Sequence, residues 1–185
     1  MVIYFRKDRH KKYAGRKRKD MIEKIYFDMD GVLADFDRGI RELCGLEFST
    51  VQGKRTEEED NLMWDEVKKI DNFYDKLEPL PGAVEMFQKI YAKYGDKCEI
   101  LTGIPKPRRG ITTAGEDKIA WVRRLLSKDI KVNIVYRAEK RNYCKGENYI
   151  LIDDLDKNIL EWKECGGTGI LHTDAAKTTQ MVLCF

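Results

Sequence analysis

No apolar run in this chain approaches the length of a membrane span. The opening Met1-Val2-Ile3-Tyr4-Phe5 is too short for a signal-peptide core, and the basic run follows it rather than precedes it. Histidine is scarce: His10 and His172 are the two present, which argues against a histidine-built metal site. The five cysteines (Cys44, Cys98, Cys144, Cys165 and Cys184) are scattered, odd in number and contain no C-x-x-C. That pattern argues against a disulfide framework and a zinc site, and it places the expectation in a reducing cytoplasm. Beyond the basic N-terminal stretch there is no low-complexity segment, and no internal repeat.

What the chain does have is charge and a core. Charged residues make up 36% and hydrophobic residues 42% of 185 positions, so one soluble domain with room for a small insert is expected. The net charge of +3 is unevenly spread. Residues 1–20 hold nine Lys or Arg against two Asp, a charge of +7, and the remaining 26 basic and 30 acidic side chains come to −4. Such an arm suits phosphate contacts with nucleic acid, a solvated disordered tail, or an accident of start-site choice, since Met21 opens the first strand directly. No basic face is legible in the body.

From Met21 onward, strand-like and helix-like segments alternate, the pattern of a parallel sheet covered by helices. Strands are expected over 22–28, 98–102, 131–136, 149–153 and 168–172. Three apolar stripes at helical spacing lie between them: Val84, Phe87, Tyr91 and Tyr94; Ile119, Val122 and Leu126; Leu155, Ile159 and Trp162. Gly95 and Gly166 stop two of these helices. Between Phe36 and Pro81 no strand is expected. A helix over 38–43 and a second one after the capping box Thr56-Glu57-Glu58-Glu59, with Met63, Val67 and Ile70 on one face, fill that insert.

The chemistry is expected where apolar strands stop. Ile25-Tyr26-Phe27 runs into Asp28-Met29-Asp30-Gly31, and ligands of open α/β sheets bind at the carboxyl ends of strands. Alternation points Asp28 and Asp30 into the crevice and Met29 away from it, and Gly31 lets the backbone turn. Two like charges so close need a cation between them, or one must keep its proton. Thr102 and Gly103 close a second apolar strand, where a hydroxyl and backbone N–H groups suit a phosphoryl oxygen. Asp153 and Asp154 close a third, and the four carboxylates together suit Mg²⁺. A lysine is needed to neutralise a phosphate, and both Lys118 and Lys140 are candidates.

The stretch DMDGVLADF from Asp28 to Phe36 resembles the first motif of the haloacid dehalogenase superfamily, and Thr102 and the Asp153–Asp154 pair resemble its second and fourth. Leu77-Glu78-Pro79-Leu80-Pro81-Gly82-Ala83, and the D-K-x-A-W-V pattern from Asp117 to Val122, are similar to the 5'(3')-deoxyribonucleotidases. The resemblance runs from about Ile22 to Thr173. It implies a Rossmann-like α/β core over 21–36 and 79–185, a helical cap over 37–78 and a separate arm over 1–20. It implies a Mg²⁺-dependent phosphomonoesterase that works through an aspartyl-phosphate. Asp28 would be the nucleophile and Asp30 the acid and base. Thr102, Gly103 and Lys140 would bind phosphate; Lys140 takes precedence over Lys118 because it follows the third strand and precedes the acid pair. Metal binding falls to Asp28, to Asp30 through its backbone carbonyl and to Asp154, with Asp153 behind them. Phe36 occupies the position that stacks on the nucleobase. Lys106, Arg108 and Arg109 suit a substrate's outer anion or a solvated loop.

Two departures stand out. Gly103 replaces a second hydroxyl found in the animal enzymes. The short cap has no clear counterpart to the aromatic pair of the base pocket, for which Trp64 and Phe73 are the available rings. The substrate expected is a small phosphate ester, foremost a nucleoside monophosphate. A sugar phosphate or other small metabolite, a nucleic-acid end held by the arm, and a non-catalytic binding module are the rivals. No membrane contact is expected, and a homodimer is compatible with these features.

Overall fold

The computed structural model describes residues 22–47 and 55–185; the basic arm and its expected partners lie outside them. Five parallel strands form one sheet in the order β3-β2-β1-β4-β5. They are β1 Lys24–Phe27, β2 Cys98–Gly103, β3 Lys131–Val135, β4 Tyr149–Asp153 and β5 Thr168–Leu171. Helices α1 Phe36–Cys44, α2 Glu57–Val67, α3 Ala83–Tyr94, α4 Ala114–Leu125, α5 Asp156–Glu164 and α6 Ala175–Leu183 connect or follow them. Short 3₁₀ segments cover Phe73–Lys76 and Arg137–Tyr143. No helix among the described residues is long and apolar enough to cross a membrane.

The chain builds β1, β2 and β3 outward to one side, then crosses back to lay β4 and β5 on the other side of β1. The reversal falls between β1 and β4, where Phe27 pairs with Ile152 and the Asp28 N–H donates to the Ile152 carbonyl at 2.9 Å. A strand-order reversal of this kind opens a crevice at the carboxyl edge.

Side-chain alternation divides the core in two. Ile25 and Phe27, Ile100, Ile150 and Ile152 face one side, packing with Phe87, Ile90, Trp121 and Val182. Tyr26, Leu101 and Leu151 face the other, under Ile159 and Trp162. Burial on both faces is why these strands read as near-continuous apolar runs.

Two helical stripes differ from expectation. In α4 the buried residues are Ala114, Asp117, Lys118, Trp121 and Val122, whereas Ile119 is exposed at 37%. The helix is turned so that Lys118 reaches the sheet edge and the Trp121 indole donates to the Leu77 carbonyl at 2.7 Å. In α3 the fully buried side is Met86, Phe87, Ile90 and Tyr94, which leaves Val84 and Tyr91 on its flank. The stripe on α5 holds: Ile159 and Trp162 are buried and Leu155 is half-buried.

The insert after β1 is helical. Ala34 forms an antiparallel bridge with Pro79, with the Leu80 N–H donating to the Leu33 carbonyl at 2.9 Å and the Asp35 N–H to the Glu78 carbonyl at 2.8 Å. The chain thus leaves and re-enters the sheet domain through one short pairing. The Thr56 capping box is formed in both directions, with N–H to oxygen distances of 3.2 and 2.8 Å. A second tie lies away from the pairing: Arg109, beyond β2, donates to Asn61 at 2.6 Å and pairs with Asp60, both on α2.

Gly167 lets the turn before β5 pass directly over Trp162. A Cβ there would overlap both the Trp162 indole and the Cys144 sulfur. The Gly167→Ala variant is expected to lose roughly 1–3 kcal/mol of stability, the cost of overpacking a filled core. Urea unfolding measures it, and an unchanged midpoint would contradict this reading of the packing.

Candidate active site

The expected carboxylates, Thr102, Gly103 and both candidate lysines come together at one edge of the sheet. Asp28 follows β1, Thr102 and Gly103 end β2, and Asp153 ends β4. Asp28 continues the face of Tyr26, and Asp153 that of Leu151, so the two carboxylates lie side by side across the β1–β4 pairing. Thr102 continues the opposite face, that of Ile100. Each face contributes its own lysine.

Lys140 arrives on the 3₁₀ segment after β3. Its ammonium lies 2.8 Å from Asp28 Oδ2 and 2.7 Å from Asp153 Oδ2, and it is nearly fully buried. Burial pulls Lys140 down, but Asp28 and Asp153 outweigh that and hold its ammonium above the ordinary lysine range. Lys118 arrives from α4 on the other face and is fully buried. Its ammonium donates to Asp30 Oδ2 at 2.6 Å and to Thr102 Oγ1 at 3.0 Å, and it sits 4.5 Å from the centre of the Tyr74 ring. The sequence offered these lysines as alternatives; the structure puts both at the carboxylates.

The two aspartates of the first motif therefore have different surroundings. Asp28 accepts the Met29 N–H at 2.7 Å and Lys140 on its other oxygen. Asp30 keeps Oδ2 on Lys118, while its Oδ1 is buried without a hydrogen-bond partner among the described residues. Burial raises the Asp30 carboxyl above its usual range, with Lys118 opposing and Asp28 adding to the rise.

Asp28, Asp153 and Asp154 each bring a carboxylate oxygen within 4.8 Å of the others. The Asp30 carboxylate is engaged by Lys118 and lies outside this trio, which agrees with its expected metal contact being the backbone carbonyl rather than the side chain. Asp154 is exposed and abuts Gly31, which turns at φ 77° and has no room for a side chain there. The residue is open to solvent, but its carboxyl is packed against Gly31, and desolvation there together with Asp28 and Asp153 pushes it up to about 8. Three carboxylates so crowded, with one ammonium among them, are a donor set that fits a hard divalent cation.

Asp153 is saturated. Its Oδ1 accepts the Leu155 N–H at 3.0 Å and Asn158 Nδ2 at 2.9 Å; its Oδ2 accepts Lys140 at 2.7 Å and the same Asn158 nitrogen at 2.9 Å. Asn158 was not singled out from the sequence. Its one signal is its position, five residues after Asp153 in the first turns of the helix that leaves the acid pair.

Phe36 opens α1 and is half-buried in a ring cluster with Trp64 at 6.2 Å, Phe73 at 5.8 Å and Tyr74 at 6.3 Å, the last stacked. Phe73 is 1% exposed and is a packing residue, whereas Trp64 keeps part of its surface. Tyr74 links this cluster to the site through Lys118 and had no sequence signal of its own. Arg109 is tied to α2, and Lys106 and Arg108 are exposed.

A family model described as "5' nucleotidase, deoxy (Pyrimidine), cytosolic type C protein" matches residues 20–180. A protein of Vibrio phage KVP40 that carries the name "Putative 5'(3')-deoxyribonucleotidase" is 31% identical over 135 residues, 72% of this chain and 67% of that protein. A haloacid dehalogenase superfamily hydrolase from Ehrlichia chaffeensis superposes with a TM-score of 0.54 at 13% identity, over 88% of this chain and 97% of its own. A haloacid dehalogenase-like hydrolase from Streptococcus pneumoniae gives 0.54 at 13% identity, over 83% and 86%. The two structures share the fold.

The crowding at Gly31 yields a test of the donor set. Gly31→Ala places a methyl group against Asp154 and strains a left-handed turn. Divalent-cation binding, followed by calorimetry, is expected to weaken about tenfold or more. The unfolding midpoint should fall only modestly. Unchanged cation affinity would remove Asp154 from the site.

Proposed function

The chain belongs to the deoxy-type, cytosolic type C 5'-nucleotidase family, and from that premise we propose that it hydrolyses nucleoside monophosphates through an aspartyl-phosphate. The observation that carries this reading is the separation of Asp28 and Asp30. Two carboxylates one residue apart are held by different lysines: Asp28 lies in the carboxylate trio, and Asp30 stands apart with a raised carboxyl and a buried oxygen without a partner among the described residues. Different partners for two neighbouring carboxyls are how one site can hold both a nucleophile and a proton carrier.

Asp28 attacks phosphorus, its oxygen forms the new P–O bond, and the ester P–O bond breaks. Lys140 removes the repulsion between the carboxylate and the phosphate dianion. Asp30, protonated, gives its proton to the leaving oxygen. It then takes one from the water that attacks the phosphoaspartate, which frees Asp28 and releases phosphate. Thr102 and Gly103 would hold phosphoryl oxygens at the end of β2, and Lys118 adds positive charge beside Thr102. Asp28 and Asp154, with the backbone carbonyl of Asp30, are the groups that would hold Mg²⁺, which supplies further charge neutralisation at the phosphate. The segment 37–78 serves as the cap that limits water and substrate access. Five free thiols suit a reducing cytoplasm.

The test is phosphate release from a panel of deoxy- and ribonucleoside monophosphates, sugar phosphates, oligonucleotide ends and a chromogenic ester, with and without chelator. Asp28→Asn is expected to abolish turnover and the acid-stable trapping of labelled phosphate on the protein. Asp30→Asn is expected to cut turnover by about 10²–10⁴, the usual contribution of general acid–base catalysis. Good leaving groups should suffer least in the first step. Substantial turnover by Asp28→Asn, or full activity in chelator, would overturn the mechanism.

Phe36 decides the substrate class. Stacking on a base contributes about 1–3 kcal/mol, so Phe36→Ala is expected to raise KM for a nucleoside monophosphate far more than for a small ester. Equal losses on both would make Phe36 a packing residue in its ring cluster and favour a small-metabolite phosphatase.

A further inference from the structure

We infer that Asn158, with its amide fixed in orientation by Arg137, is a positioning residue that keeps Asp153 turned onto Lys140 and out of the cation's reach. The inference rests on the phosphatase reading of the site and adds two residues to it.

Asp153 lies 0% exposed beside two other carboxylates and would be the natural third ligand of any cation they bind. Its two oxygens are nevertheless fully engaged, and the Asn158 amide nitrogen alone bonds both, at 2.9 Å each. An amide presents a donor on one side and an acceptor on the other, so its benefit depends on which side faces the carboxylate. Turned over, Asn158 would set its carbonyl oxygen against Asp153, and a satisfied contact would become a repulsive one.

Arg137 removes that ambiguity. A guanidinium has donors and no acceptor, so it selects an oxygen. Its NH1 donates to Asn158 Oδ1 at 2.9 Å, which leaves the amide nitrogen no direction but Asp153. Arg137 is itself held by Glu161 on the same helix, one turn beyond Asn158, at 3.1 and 3.3 Å. Arg137 and Lys140 belong to one 3₁₀ segment, three residues apart. The segment is therefore pinned at two points, to α5 by Arg137 through Asn158 and Glu161, and to the end of β4 by Lys140 through Asp153. The consequence is a division of labour within the acid pair. Asp153 anchors the lysine that serves the nucleophile, and the exposed Asp154 stays free for the cation.

Asn158→Ala, Arg137→Ala, Arg137→Lys and the Arg137→Ala/Asn158→Ala pair test this. Asn158→Ala is expected to lower kcat on a small phosphate ester about ten- to hundredfold, the usual effect of removing a partner behind the groups that do the chemistry. KM should stay within about twofold, because no substrate contact is lost. Arg137→Ala, at a partly exposed position, should reproduce part of the loss by releasing the Asn158 oxygen and loosening its side chain, and Arg137→Lys should restore most of it. The double variant should be no worse than Asn158→Ala alone, since both act through one contact. Mg²⁺ titrated by calorimetry should bind Asn158→Ala at least as tightly as the unaltered protein, because Asp153 regains a free oxygen.

Unchanged kcat in folded Asn158→Ala and Arg137→Ala would overturn the inference, as would additive losses or Mg²⁺ binding weakened tenfold. Should the unaltered protein release phosphate from no ester, the proposed function fails, and the calorimetric arm still decides whether Asn158 restrains Asp153.

Discussion

The structure depends on one electrostatic constraint: several carboxylates must share one edge of a parallel sheet without expelling each other. An unpaired charge in a buried position costs several kcal/mol, and three carboxylates within 4.8 Å multiply the problem. Two fully or nearly fully buried lysines answer it. Lys140 bridges Asp28 and Asp153 from one face of the sheet, and Lys118 takes Asp30 and Thr102 from the other. Neither lysine would remain buried without these partners, and the carboxylates would not tolerate each other without the lysines.

The fold arranges this opposition through alternation. Successive residues of a strand face opposite sides, so a sheet edge presents groups to both layers of helices at once. Asp28 and Asp153 continue the face covered by α5 and the Arg137–Tyr143 segment, which delivers Lys140. Thr102 continues the face covered by α4, which delivers Lys118. The topology adds the crevice, because β1 sits where the strand order reverses. The roof is joined to this frame at the Ala34–Pro79 pairing and again where Arg109 meets Asp60 and Asn61. Its ring cluster reaches the chemistry through Tyr74, which lies against Lys118 on one side and Phe36 on the other.

The sheet edge depends on charge balance more than on the helical insert after β1. The insert is short, yet it contributes Phe36, Trp64 and Tyr74 around the same point. These rings stand directly beside the paired charges of the sheet edge.

The sequence alone determined the sheet, the edge at which the polar groups gather and the carboxylates that line it. Those features are local: apolar runs of strand length stop at Asp28, Thr102 and Asp153, and each stop is visible within a few residues. The capping box at Thr56 and the helical insert were legible for the same reason. The tertiary structure decided everything that depends on rotation or distance. Ile119 reads as core by spacing and is exposed, because α4 is turned to bring Lys118 inward, and apolar periodicity fixes a helical face only within about one residue. Lys118 and Lys140 read as rivals and are partners, since their roles arise from contacts across 88 and 13 residues of chain. Arg137 carries no local signature, and Asn158 only its place five residues after Asp153. An asparagine in a first helical turn and an arginine after a strand are ordinary residues until packing brings them to one carboxylate, and only a folded chain fixes which way an amide must face.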